Sequence, residues 1–257
     1  MKKHVIAGLL ILLSAAGVGT ANTLNIRLNY FFPRAQADVN SLWGIEFDNM
    51  DFKRSQFQEA SFGFGFEYFV TPAVGILLEV EPYSKNKSGT YLGYVGYSLD
   101  EGDFAFPNDY QGDFLPGHSL SLRITPIQLS IKIAPLGRRG KFIPYFGGGA
   151  GLYIWSLRMR GDMIDFSDEY YYDDPDYGEV PVYPIYSVDA WEGDNFGKVA
   201  FGWQAFAGFQ LPIAQRLTLD LGAKFNAAKG KFTEAFLDFD KFDLGGLNLQ
   251  LGINYWF

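Results

Sequence analysis

The sequence predicts an all-β protein: an eight-stranded antiparallel up-and-down transmembrane β-barrel with long extracellular loops. Three observations predict it. Eight segments alternate apolar and polar residues with a period of two, the mark of a strand with two different faces. The connections between them alternate long and short, as in barrels with loops on one side of a membrane and tight turns on the other. The chain also opens on an export-type leader and holds no other apolar run long enough for a helical span.

The leader reads "MKKHVIAGLLILLSAAGVGTA". Lys2 and Lys3 give a positive start, Val5 to Ala16 an apolar stretch, and Gly19 and Ala21 the small residues of a cleavage site. Residues 1–21 are therefore expected to be a cleavable signal peptide, and residues 22–257 a single barrel domain. The absence of cysteine excludes a disulfide framework and thiolate metal sites. A net charge of −8 argues against a nucleic-acid partner.

The strands follow in order. Thr23 to Phe32 carries Leu24, Ile26, Leu28 and Tyr30 against Asn25, Arg27 and Asn29. Ala60 to Thr71 sets Phe62, Phe64, Phe66 and Tyr68 against Gly63, Gly65 and Glu67. After the tight "TPAV" turn, Val74 to Ser84 opposes Ile76, Leu78 and Val80 to Glu79 and Glu81. The fourth segment changes parity: Leu120, Leu122 and Ile124 are even, whereas Ile127, Leu129, Ile131 and Ile133 are odd. A bulge at Thr125-Pro126 is the expected cause, because a one-residue slip turns every later side chain over. "FIPYFGGGAGLYIW", Lys198 to Leu211, Leu217 to Ala228 and the terminal "LNLQLGINYWF" complete the set.

The long connections span 33–59, 85–117, 158–197 and 230–242; the short ones span 72–73, 135–141 and 212–216. A secreted β-sandwich also buries one face per strand, but its strands are shorter and its loops less one-sided. "TYLGYVGYSL" and "EVPVYPIY", inside two long connections, would make a ten-stranded barrel if they spanned; the expectation is that they extend hairpins above the membrane.

The leader, the alternating strands and the terminal "INYWF" resemble the small outer-membrane β-barrel proteins of Gram-negative bacteria, of the OmpW/OmpX/OmpA-barrel-like type. "ITPIQLSIKIAPLGRRGKFIPYFGGGAGLYIW" is similar to a strand–turn–strand of that superfamily, with Pro144, Tyr145, Gly147, Gly149 and Gly151 on its second strand. The resemblance implies an outer-membrane location with both termini periplasmic. It also implies Tyr255 and Phe257 as a signal to the barrel-assembly machinery, and contact with outer-membrane lipids and lipopolysaccharide. It sets no activity, since the superfamily holds anchors, adhesins, narrow channels and lipid-modifying enzymes.

Parity assigns an inward set of four acids and four bases: Glu67, Glu79, Glu81 and Asp220 against Arg27, Arg123, Lys132 and Lys224. Buried charges must pair, so the even balance predicts a crosslinked polar core, with Arg27 facing Glu67. The alternative is an ion path through the same charges. His118 is the one histidine left after leader removal, and it reads as a loop residue near the headgroups. A resemblance to the lipid A deacylases, which are lipid A-modifying hydrolases, would imply their His-x-Ser pattern, which places the serine at position 120. That position is Leu120, and Ser119 and Ser121 fall on the opposite face. Asp173, Asp174, Asp176 and Glu179 are weak Ca²⁺ candidates in an acidic, tyrosine-rich loop. "GRRGK" in a short turn would meet phospholipid headgroups. The expected role is a monomeric structural or surface-interaction barrel, without cofactor, with a narrow porin-like channel for small, even hydrophobic, molecules as the alternative.

Overall fold

The computed structural model describes residues 22–138, 140–176, 178–193 and 197–257; the leader lies outside the described residues. Fourteen strands form: β1 (Thr23–Pro33), β2 (Glu59–Phe69), β3 (Val74–Val80), β4 (Tyr83–Thr90), β5 (Tyr94–Leu99), β6 (Gly102–Pro107), β7 (Gly117–Ile133), β8 (Ile143–Ile164), β9 (Tyr170–Asp174), β10 (Gly178–Glu192), β11 (Lys198–Ala214), β12 (Leu217–Gly230), β13 (Phe242–Asp243) and β14 (Gly246–Trp256). One helix, α1 (Leu42–Asn49), and a 3₁₀ turn, Arg54–Phe57, lie between β1 and β2.

Antiparallel pairing runs β1–β2–β3–β7–β8–β11–β12–β14 and returns from β14 to β1, a closed barrel of eight strands. Closure leaves no unpaired edge, as hydrocarbon demands. β4 continues β3 along β7 in one register: Val80 opposes Ile127 and Tyr83 opposes Ile124. The two remaining candidates do not enter the wall. β5 pairs with β6, β6 with β10, and β9 with β10, so they build hairpins beyond the long-loop end.

The parity change on β7 is not a bulge. β7 pairs with β8 without interruption from His118–Gly161 to Ile133–Phe146. Leu120, Leu122, Ile124, Gln128, Ser130 and Lys132 all point inward and are buried. What changes is the chemistry of the two faces. Below Thr125 the outer face is Ile127, Leu129 and Ile131, all exposed, and the inner face is polar. Above it the inner face is apolar, and the outer face is Ser121 and exposed Arg123. β8 swaps at the level of Ile154, which opposes Thr125: Leu152 is outside below it, Trp155 and Leu157 inside above it. β3–β4 swaps between Glu81 and Tyr83. Three neighbouring strands change solvent at one height, so this is the upper edge of the apolar belt.

Below that edge Leu24, Ile26, Phe62, Phe64, Leu249, Leu251 and Ile253 are exposed on the outer wall. Inward glycines admit bulky neighbours: a Cβ at Gly208 would lie 2.5 Å from the Tyr145 hydroxyl, and one at Gly230 would lie 2.4 Å from the Trp155 ring. Those aromatic side chains fill the space inside.

Candidate functional site

The inner face at belt level is an ion-pair network. Lys224 Nζ donates to Glu79 Oε2 and Glu81 Oε1, each at 2.9 Å, and to Gln128 at 3.2 Å. Arg27 pairs with Glu79 and lies 3.9 Å from Glu81. Lys132 donates to Glu67 at 3.2 Å and sits 3.9 Å from Asp220. Asp220 also accepts from Tyr145, from Gln210 at 2.9 Å and from Asn254 at 3.0 Å. Every carboxylate here is at most 4% exposed, so each needs its cations.

Two expectations are corrected. Arg27 does not face Glu67, because the register sets Arg27 opposite Gly63 and Glu67 opposite Thr23. Gly63 and Gly65 on β2 carry no side chain between Arg27 and Glu79, which opposes Gly65 on β3. Arg123 is not an interior charge; it is exposed on the outer face above the belt. Its place in the balance is taken by Arg138 from the "GRRGK" turn, which reaches Glu67 at 2.7 Å and lies over the Phe69 ring at 3.5 Å. Arg138 thus closes the short-turn end from inside, and is not free for headgroups.

Above the network sits an aromatic plug. Ser41 caps α1 by accepting from the Gly44 N–H at 3.0 Å, and the capped helix turns Leu42 and Trp43 into the barrel mouth. Trp43 stacks on Phe242 at 4.9 Å and Phe47 at 5.4 Å, and meets Phe57 edge-on. Phe242 stacks in turn on Trp155 at 5.9 Å. Trp43 Nε1 donates to the Asp243 carbonyl at 3.2 Å, and the Asp243 carboxylate takes both arms of Arg34 at 2.7 Å. Between plug and network lies a cavity of about 20 Å³, lined by Glu81, Tyr83, Ile124, Tyr153, Asn226 and Leu244 among others, room for about one water molecule.

Glu192, at the end of β10, ties the last long loop to the wall. It accepts from the Thr233, Glu234 and Ala235 N–H groups at 2.8–3.0 Å, and Lys198 Nζ lies 2.6 Å away. Burial raises its pKa, but Lys198 and the three amides outweigh burial and hold it below the usual carboxylate range. A depressed carboxyl pKa adds stability above the unfolded-state value, lost as pH falls through the folded-state value. Glu192→Gln should therefore cost about 1.5–3 kcal/mol at pH 7. That deficit should shrink as pH falls below roughly 4.5, the ordinary carboxylate value, read by denaturant unfolding of the two proteins across pH.

His118 is not a headgroup-level loop residue. It is buried on the inner face of β7, with Nε2 2.7 Å from Glu46 Oε2 of α1. Ser119 points away and donates to the Arg160 carbonyl at 3.1 Å; the two residues form no nucleophile–base pair. Asp173 and Glu179 oppose each other across β9 and β10, and Asp174 accepts from the Asp176 N–H at 2.8 Å. No group of three or more metal-ligating side chains converges among the described residues. Tyr170, Tyr171, Tyr172 and Tyr186 are 42–64% exposed around them. At the other end, the Phe257 and Asn22 backbones exchange hydrogen bonds at 2.9 and 3.0 Å, so pairing of β1 with β14 extends to Phe257. Phe257 stacks on Tyr255 at 6.3 Å.

A closed eight-stranded barrel with an apolar outer belt, a paired polar interior and folded extensions at one end is a transmembrane β-barrel of the outer-membrane class. No protein-family description and no curated protein matches the chain. Solved structures resemble it over most of its length. The outer membrane protein OprG of Pseudomonas aeruginosa is 13% identical, covers 93% of this chain and 96% of its own, and has a TM-score of 0.47. The Escherichia coli outer membrane protein W is 12% identical over 93% and 100%, with a TM-score of 0.42. Ail, the attachment invasion locus protein of Yersinia pestis, in complex with the heparin analogue sucrose octasulfate, is 9% identical over 93% and 100%, with a TM-score of 0.43.

Proposed function

We propose that this barrel is a sealed surface-interaction protein and neither a channel nor an enzyme. The carrying observation is the double closure of its interior: the ion-pair network at belt level and the Trp43 plug above it. Work then falls to the hairpins beyond the belt, β5–β6 and β9–β10. Their tyrosines are rigid, amphipathic contact groups of the kind interfaces favour, set among Asp168, Glu169 and Asp173. In this reading the long-loop end is extracellular and both termini are periplasmic. Lipids and lipopolysaccharide surround the monomer, and Tyr255 and Phe257 present it to the assembly machinery.

Planar-bilayer recording of the refolded protein is the test. A sealed barrel shows no discrete, reproducible openings; steady single-channel steps would overturn the reading in favour of the narrow channel. On whole cells, a Tyr170→Ser, Tyr171→Ser, Tyr172→Ser variant should still assemble but lose adhesion to any surface that retains the parent cells.

A further inference from the structure

Beside the plug, at the long-loop end, lies a cavity of about 320 Å³ between α1, β7, β8, β10 and the 231–241 loop. Its wall is soft and apolar: Met50, Met159, Met163, Phe166, Phe236 and Tyr91. Its polar groups are few and sit together, which is the pattern of small-molecule sites. His118 Nδ1 lies 3.3 Å from the Asp162 carbonyl. Nε2 lies 2.7 Å from Glu46 Oε2, which ties β7 to α1. Glu46 is only 4% exposed, and its carboxylate meets His118 through Oε2. That carboxylate lines an otherwise largely apolar cavity.

We infer that this cavity binds a small organic ammonium ion, whose N–H donates to Glu46 Oε1 while its apolar body lies among the methionine and aromatic side chains. Phe166, Phe236 and Tyr91 offer the ring faces that attract cations. Burial, helped by the Glu46 and Asp162 charges, pushes the Tyr91 phenol up to about 12, so it stays a neutral wall. The surrounding chain carries −8 overall, which draws in a cation and repels a carboxylate of the same shape. Occupancy here is independent of the exposed tyrosines and of conductance, so either reading can fail without the other.

Methionine is a built-in reporter. The chain has four, and the three outside the leader, Met50, Met159 and Met163, all line this cavity. With methyl-labelled methionine in nanodisc-embedded protein, 2-phenylethylamine should shift these resonances saturably. It should bind at least tenfold tighter than 2-phenylethanol or 3-phenylpropanoate. Glu46→Gln should erase the preference for the amine while the barrel keeps its heat-modifiable gel mobility. Equal affinity for amine and alcohol, linear shifts without saturation, or an undiminished preference in Glu46→Gln would each overturn the proposal. Should Glu46→Gln fail to fold, Ala190→Phe, which fills the cavity and leaves the Glu46–His118 pair in place, must abolish binding of the amine; retained binding would also overturn it.

Discussion

Replacing Lys224 by methionine is expected to destabilise the folded barrel by about 3–5 kcal/mol, the usual cost of breaking a buried ion pair from one side. The ammonium of Lys224 is the group that Glu79, Glu81 and Gln128 share. Without it the two buried carboxylates keep Arg27 as their cation, 3.9 Å from Glu81, and Glu81 keeps the Gln250 amide at 2.7 Å. Methionine preserves the length of the side chain, so the loss reads as charge and not as a hole. Urea unfolding of protein refolded into lipid vesicles measures it. The double variant Lys224→Met, Glu79→Gln should recover much of the deficit, because it removes one negative charge along with the positive one. A deficit unchanged in the double variant would mean that packing, not pairing, sets the stability here.

Trp43→Ala should cost about 3–5 kcal/mol, the range for truncating a large aromatic in a well-packed core. The loss is confined to the long-loop end. Trp43 holds Phe47, Phe57 and Phe242 together and anchors the Asp243 carbonyl, but it contributes nothing to the strand ladder. Amide hydrogen exchange should therefore accelerate in α1 and in the 231–245 loop, while β1, β2 and β14 stay protected. The variant should also remain non-conducting, since the ion-pair network below the plug is untouched. Uniform acceleration through the wall would show that the plug and barrel fold as one unit.

The strand count, the lipid-facing residues and most of the interior charges were legible because period-two alternation is a direct projection of the pleat. Two things escaped that projection. Pairing across the barrel depends on register and shear, which parity does not carry; hence parity matches Arg27 to Glu67, while its partner Glu79 lies one strand further on. Parity also assumes that the apolar face is the lipid face. On β7 that holds only below Thr125, so parity places Arg123 inside where the structure exposes it on the outer face. Arg138 could not be found this way at all, since it reaches Glu67 from a turn. The Glu46–His118 pair joins residues 72 positions apart, and an isolated glutamate in a short helix carries no signal of its own. "TYLGYVGYSL" and "EVPVYPIY" were readable as strands because tyrosine and β-branched residues favour the pleat, whichever solvent they stand in.

The common height at which β3–β4, β7 and β8 exchange their inner and outer chemistries acts as a waterline. Sliding the barrel deeper by two residues would bring Arg123 and Ser156, which oppose each other just above it, into hydrocarbon. Lifting it by two would strand Ile127 and Leu152 in water. The protein therefore floats at a draught fixed by its own wall, without needing an anchor in its loops. Above that line β7 and β8 follow the rules of a soluble protein: Leu120, Leu122, Trp155 and Leu157 shelter within, and Arg123 stands outside. The same substitution can then be harmless on one side of Thr125 and ruinous on the other, although the strand runs straight through.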